Sequence, residues 1–189
     1  MRTAIFGGTF DPIHNAHLVM IRQSKERFGL DLILVVPAAH PPHKRGVTHA
    51  PYADRVRMAE IACEDEPGCE VSRLEEGTAR SYSIDTIEKV RKSMAPRDEL
   101  FFIIGADAFA EIETWYRWYD VVRSVTFIVV SRPHSQYSTP AGARVVRLDD
   151  LDVSISSSDI RRKLEDGDTH VDVPASVIEY IRQHNLYLL

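Results

Sequence analysis

The sequence predicts an α/β fold, a single doubly wound Rossmann-like domain whose mainly parallel sheet is flanked by helices. Three observations carry that prediction. Apolar runs of strand length alternate with helical segments along the whole chain, the pattern of a βα-repeating sheet. Several of the runs, LILVV, LFFII and TFIVV among them, are continuous rather than alternating, as strands covered on both faces require. The first run passes directly into GGTFDPIHNAH, Gly7 to His17, a glycine-rich turn opening a helix, which is where α/β sheets meet phosphate.

In chain order, strands are expected at Thr3–Phe6, Leu32–Val36, Glu70–Leu74, Leu100–Ile104, Thr126–Val130 and Arg144–Leu148. Helices are expected at His14–Phe28, Tyr52–Cys63, Ser83–Met94, Ala106–Val122, Ser157–Glu165 and Ala175–His184. Residues 1–189 read as one domain, with a C-terminal helical part from about 155 to 189. The least regular stretches, Ala38–Pro51 and Arg132–Gly142, are rich in Pro, His, Ser and Gly and follow predicted strands. Ligands of open α/β sheets bind outside the carboxyl ends of the strands, so these loops are expected to cover a substrate.

Composition narrows the partners. The chain has 23 basic against 28 acidic residues, a net charge of −5, so no general nucleic-acid footprint is visible and any anion site must be local. Five of the eight histidines, His14, His17, His40, His43 and His49, fall in the first 49 residues beside Lys44 and Arg45, which places the local positive potential there. No apolar run approaches the roughly 20 residues that span a bilayer, so no membrane partner is expected and the protein reads as cytoplasmic. Cys63 and Cys69 are too few for a disulfide scaffold and lack the spacing of a zinc site, and read as structural thiols.

Within the opening motif, His14, His17, Leu18 and Ile21 recur at helical spacing, so both imidazoles share a face with the residues that pack the helix down. Gly7 and Gly8 leave room for backbone N–H groups to approach an anion. Two imidazoles at that end can donate hydrogen bonds to phosphate oxygens and stabilise charge that develops as a phosphoanhydride breaks. Asp11-Pro12 shapes the entry, Asp11 as a potential cap. A lone histidine there would read as polar surface, and a pair as a metal site, though no Glu follows as in H-E-x-x-H. A second motif, ISSSDIRRKL, places Ser156 and Asp159 as a capping box ahead of Ile160 and Leu164, with Arg161 and Arg162 in the first turns. Hydroxyls, free N–H groups and an arginine at a helix start make a second anion site; in isolation the segment reads rather as a well-capped surface helix with two solvated arginines.

Together the two motifs resemble the (H/T)xGH and ISSTxIR signatures of the nucleotidylyltransferases, most closely those of the bacterial nicotinate-mononucleotide adenylyltransferases. The resemblance implies ATP binding by Gly7, Gly8, Thr9, Phe10, His14, His17, Ile155, Ser157, Ser158 and Arg161, with His14, His17 and Arg161 as the catalytic residues. Ala16 stands where the pattern has Gly, and Ser158 where it often has Thr. IGAD after LFFII is similar to the family's ribose and adenine segment, which implicates Gly105 and Asp107. PPHK ending in Lys44, SYSIDT with Thr86, ETWYRWYD with Trp115 and Tyr116, and VVSRP with Arg132 extend the likeness to phosphate and nicotinate contacts. Without it, the aromatic segment would read as a packed cluster and Lys44 as part of a solvated loop.

The activity so implied is transfer of the adenylyl group of ATP to nicotinate mononucleotide, giving nicotinate adenine dinucleotide and pyrophosphate. It needs positioning and charge neutralisation rather than a base or a nucleophile, because the attacking phosphate monoester is already ionised at neutral pH. Mg²⁺ is expected to be held by the ATP phosphates, with no protein metal site. Other small nucleotidylyltransferases, for pantetheine phosphate or with CTP, and a non-catalytic nucleotide-binding regulator are the alternatives; Thr86 with Trp115-Tyr116 speaks against the first group and the intact His14, His17 and Arg161 against the second. The sequence leaves the oligomeric state open.

Overall fold

A computed structural model describes residues 1–41, 48–131, 137–149, 151, 155–168 and 170–187. Its six strands are β1 (Arg2–Gly8), β2 (Leu32–Pro37), β3 (Cys69–Val71), β4 (Glu99–Gly105), β5 (Thr126–Val130) and β6 (Arg144–Leu148). They form one sheet in the order β3-β2-β1-β4-β5-β6, with every neighbouring pair parallel. The chain winds outward from β1 through β2 to β3, then returns to the centre at β4 and winds the other way. That reversal places a crevice between the carboxyl ends of β1 and β4.

Strand periodicity divides the interior into two layers. Ala4, Phe6, Phe101, Ile103, Ile128 and Val130 face one core, shared with α1 (Asn15–Phe28), α2 (Tyr52–Cys63), α6 (Ser157–Glu165) and α7 (Ala175–Gln183). Ile5, Leu100, Phe102, Ile104, Phe127 and Val129 face the other, with α3 (Ser83–Lys92), α4 (Ala106–Ala110) and α5 (Trp118–Ser124). Fully burying a large apolar side chain stabilises by about 1.5–3 kcal/mol, so β1, β4 and β5, filled on both faces, fix the register. The outer strands β3 and β6 are short and partly exposed, which limits edge-to-edge pairing. Among the described residues no helix is long and apolar enough to cross a membrane.

The helix expected over Ala106–Val122 is instead α4, a 3₁₀ turn at Ile112–Thr114, and α5. A continuous helix cannot bury Phe109, Ile112, Val121 and Val122 together while leaving Tyr116 and Tyr119 exposed as they are. The chain breaks at Arg117, which adopts the left-handed φ of 51° and is held by ion pairs to Asp120 and Glu88. Strand β3 also ends at Val71 rather than Leu74, and α3 at Lys92 rather than Met94.

Candidate active site

The opening motif leaves the carboxyl end of β1 at the centre of the sheet. A Cβ on Gly8 would lie 2.9 Å from the Phe10 ring, so this glycine is required by the residue two places on as much as by any ligand. Phe10 is buried at a positive φ of 49°, and its ring meets those of Phe6 and His17 edge-on. Thr9 is fixed through its backbone: its carbonyl accepts from Arg55 Nη1 at 2.6 Å. Arg55 is fully buried on α2 and donates also to the Ala38 and Ala50 carbonyls, joining the β1 turn to the loop after β2.

His14 is the N-cap residue of α1, in extended conformation, and His17 lies in the first turn. The two imidazoles stack with centroids 3.6 Å apart. His17 Nδ1 accepts the His14 backbone N–H at 3.2 Å, which places the proton of a neutral His17 ring on Nε2 and makes that atom a donor. His14 is buried, and burial, opposed by the carboxylate of Asp172, lowers its pKa to about 4. It is therefore a neutral imidazole at physiological pH. Its Nδ1 is buried without a hydrogen-bond partner among the described residues. Ala16 is buried within the same turn of α1, so its methyl group is accommodated by the core.

Asp11 does not cap α1, contrary to the expectation from sequence. It is buried, and its carboxylate accepts the backbone N–H groups of His49 and Ala50 at 2.8 and 3.1 Å and the hydroxyl of Tyr187 at 2.6 Å. The Asp11-Pro12 turn is also where the second motif arrives. Arg161 Nη1 donates to the Asp11 carbonyl at 2.6 Å, and the Ser157 hydroxyl donates to the Pro12 carbonyl at 3.1 Å. Ser156 caps α6 by accepting the Asp159 N–H, as the capping-box pattern predicts. Ser158 is exposed and accepts from Arg161 Nη2 at 3.3 Å, while Ile155 packs against the first core. Two helix starts about 145 residues apart in sequence thus meet at one turn.

Beside them, between β1 and β4, lies a cavity of about 340 Å³ walled by Gly7, Gly8 and Thr9 on one side and Phe102, Gly105, Trp115 and Tyr116 on the other. A Cβ on Gly105 would meet nothing within 4 Å, so that backbone faces open space. Asp107 is exposed on the first turn of α4. The break before α5 is what turns Trp115 and Tyr116 here: Trp115 packs edge-on to Phe102, and Tyr116, 53% exposed, lies against Tyr82 with ring centroids 4.4 Å apart. Thr86 is buried behind this wall and its hydroxyl donates to Glu75 Oε1 at 2.8 Å, so that hydroxyl presents lone pairs rather than a proton to any further partner. Lys44 and Arg132 lie outside the described residues.

Arg55, Glu75, Ser81 and Tyr82 were not singled out by sequence. Arg55 did leave a signal, since it falls on the apolar stripe of α2 with Val56, Ala59 and Ala62. Glu75 left none, standing beside Glu76 in a polar stretch. Both it and Ser81 tie down the loop after β2: Glu75 Oε2 accepts the Ala39 N–H at 3.3 Å, and the Ser81 hydroxyl accepts the His40 N–H at 2.9 Å.

The chain belongs to the cytidylyltransferase-like class of proteins, whose family profile matches residues 5–163. Within that class the chain belongs to the nicotinate-nucleotide adenylyltransferase family. It is 63% identical to a Solibacter usitatus protein named probable nicotinate-nucleotide adenylyltransferase, over 99% of this chain and 100% of that one. A Thermus thermophilus protein of the same name is 42% identical over 99% of this chain and 100% of its own. In fold, the chain is similar to Plasmodium falciparum nicotinic acid mononucleotide adenylyltransferase complexed with NaAD, at a TM-score of 0.80 and 22% identity over 98% of this chain and 97% of that one.

Proposed function

We propose that the protein transfers the adenylyl group of ATP to nicotinate mononucleotide, forming nicotinate adenine dinucleotide and pyrophosphate in NAD biosynthesis. The observation that carries this reading is the junction at Asp11-Pro12, where Arg161 and Ser157 of α6 meet the start of α1 beside the aromatic wall of the cavity. The names of the relatives support the choice of acceptor over the pantetheine-phosphate and CTP-dependent alternatives.

In this reading an oxygen of the acceptor phosphate attacks the α-phosphorus of ATP in line, and the bond to the bridging oxygen breaks to release pyrophosphate. His17 Nε2–H, the Arg161 guanidinium and the backbone N–H groups at the α1 and α6 starts neutralise the charge that moves onto the leaving group. His14, neutral and stacked on His17, orients its ring through the backbone bond to His17 Nδ1. Thr9, Phe10, Gly105, Asp107 and Ile155 shape the ATP site, while Trp115 and Tyr116 flank the pyridine ring, with Thr86 behind them. Lys44 and Arg132 are assigned to phosphate contacts. The donors at the junction are hydroxyls, imidazoles, a guanidinium and amides, a set that fits a nucleotide carrying its own Mg²⁺, which supplies charge neutralisation on the phosphates.

The test is to incubate the protein with ATP, Mg²⁺ and a panel of phosphomonoester acceptors and to follow pyrophosphate release. Nicotinate mononucleotide should give the highest kcat/KM. Equal kcat/KM with the nicotinamide form would reject the acid preference, and turnover only with another phosphomonoester would reject the assignment.

A further inference from the structure

We infer that Glu75 selects the acceptor by the positive charge of its pyridinium ring. Among the described residues lining the cavity, Glu75 is the one charged side chain; the rest of the wall is apolar, aromatic or hydroxyl-bearing. Its carboxylate is largely buried and, among the described residues, accepts only from neutral donors, the Thr86 hydroxyl and the Ala39 N–H. Among the described residues it makes no ion pair. Arg55 is near enough to feel its charge, but Arg55 spends its hydrogen bonds on the carbonyls of Thr9, Ala38 and Ala50.

A largely buried carboxylate that no cation contacts directly among the described residues favours a ligand that brings one. The neighbouring aromatic faces of Tyr82, Trp115 and Tyr116 add to the same preference, because a cation is attracted to the negative face of an aromatic ring. A flat ring that carries a positive charge meets both demands, and nicotinate mononucleotide has such a ring, since its quaternary nitrogen is bonded to the ribose. This inference rests on the acceptor proposed above. It adds a residue that distinguishes the oxidised, cationic ring from a neutral ring of the same outline.

The experiment measures dissociation constants by titration calorimetry for nicotinate mononucleotide and for its 1,4-dihydro form, which differs in ring charge. The wild-type protein should bind the cationic form more tightly by about tenfold or more, tenfold being the scale of one charge pair about 12 Å apart at an effective dielectric of about 20. Glu75→Gln should lose most of that preference, while Glu75→Asp, which keeps the charge, should retain it. The Kd for ATP should be unchanged in Glu75→Gln, and its circular dichroism should confirm that it is folded. A wild-type protein that binds neither form would overturn the proposed acceptor. One that binds the cationic form, with the preference intact in Glu75→Gln, would overturn the role of Glu75 alone. An equal fall in affinity for both forms would likewise reduce Glu75 to a structural residue. Should Glu75→Gln fail to fold, loss of the preference in folded Glu75→Asp would count against the inference.

Discussion

Replacing Tyr187 by Phe removes one oxygen from the far end of the chain, and its consequence falls on the opening motif. The Tyr187 hydroxyl donates to Asp11 Oδ1 at 2.6 Å in a buried setting, and burial, reinforced by the proximity of that carboxylate, raises the tyrosine pKa so that the proton stays on the phenol. Without it Oδ1 retains, among the described residues, only the Ala50 N–H, at 3.1 Å. A hydrogen bond to a charged group contributes about 1.5–3 kcal/mol. In a domain of this size each kcal/mol moves Tm by about 2–4 °C, so calorimetry should show a fall of about 3–12 °C. Because the Asp11 carbonyl also holds Arg161, pyrophosphate-release assays should show a several-fold loss of kcat/KM at a temperature where the variant is folded. A Tm within 1 °C of wild type would refute the reasoning, as would a Tyr187→Phe/Asp11→Asn cycle showing no coupling between the two positions.

Three further outcomes follow from the same geometry. His17→Ala should lower kcat by about a hundredfold if its Nε2–H stabilises charge in the transition state, with circular dichroism unchanged; near-wild-type turnover would remove His17 from that role. His14 has a folded-state pKa of about 4 against an ordinary value of 6.5, so between these pH values the unfolded chain binds a proton that the folded chain does not. Its contribution is full above about pH 6.5 and is lost as pH falls toward 4, by about 3 kcal/mol; denaturant titrations of His14→Gln should show a shallower pH dependence over that window than wild type. Arg55→Met should destabilise by several kcal/mol, about 3 or more, because one buried and two partly buried carbonyls lose their donor, and a change below 1 kcal/mol in urea unfolding would contradict it.

The alternation of strands and helices was legible because apolar periodicity is local: LFFII and TFIVV can only be buried on both faces, and they are β4 and β5. The junction of the ISSSDIR segment with the opening motif followed from the resemblance, although the contacts themselves, Arg161 and Ser157 on the backbone carbonyls of Asp11 and Pro12, carry no side-chain pattern for a sequence to display. The break at Arg117 was not legible, since residues 106–122 contain no Pro or Gly between Ala106 and Val122 and only packing against the second core forces it. Glu75 was not legible either, because a glutamate in a polar stretch looks the same whether it faces water or a buried threonine.

The sequence by itself determined the strand and helix order, the glycine turn and histidine pair after β1, and the helix start at Ser156, all of which depend on neighbours within a few residues. Tertiary structure decided which groups those neighbours face. It committed Asp11 to Tyr187 and to the loop after β2 rather than to the helix it precedes, and it made His14 a neutral, buried imidazole. It also tied the carboxylate of Glu75 to Thr86 and Ala39 and placed Glu75 on a cavity with an aromatic wall. Burial and long-range hydrogen bonds fix the charge and the donor or acceptor state of a side chain, and both come from residues distant in the chain.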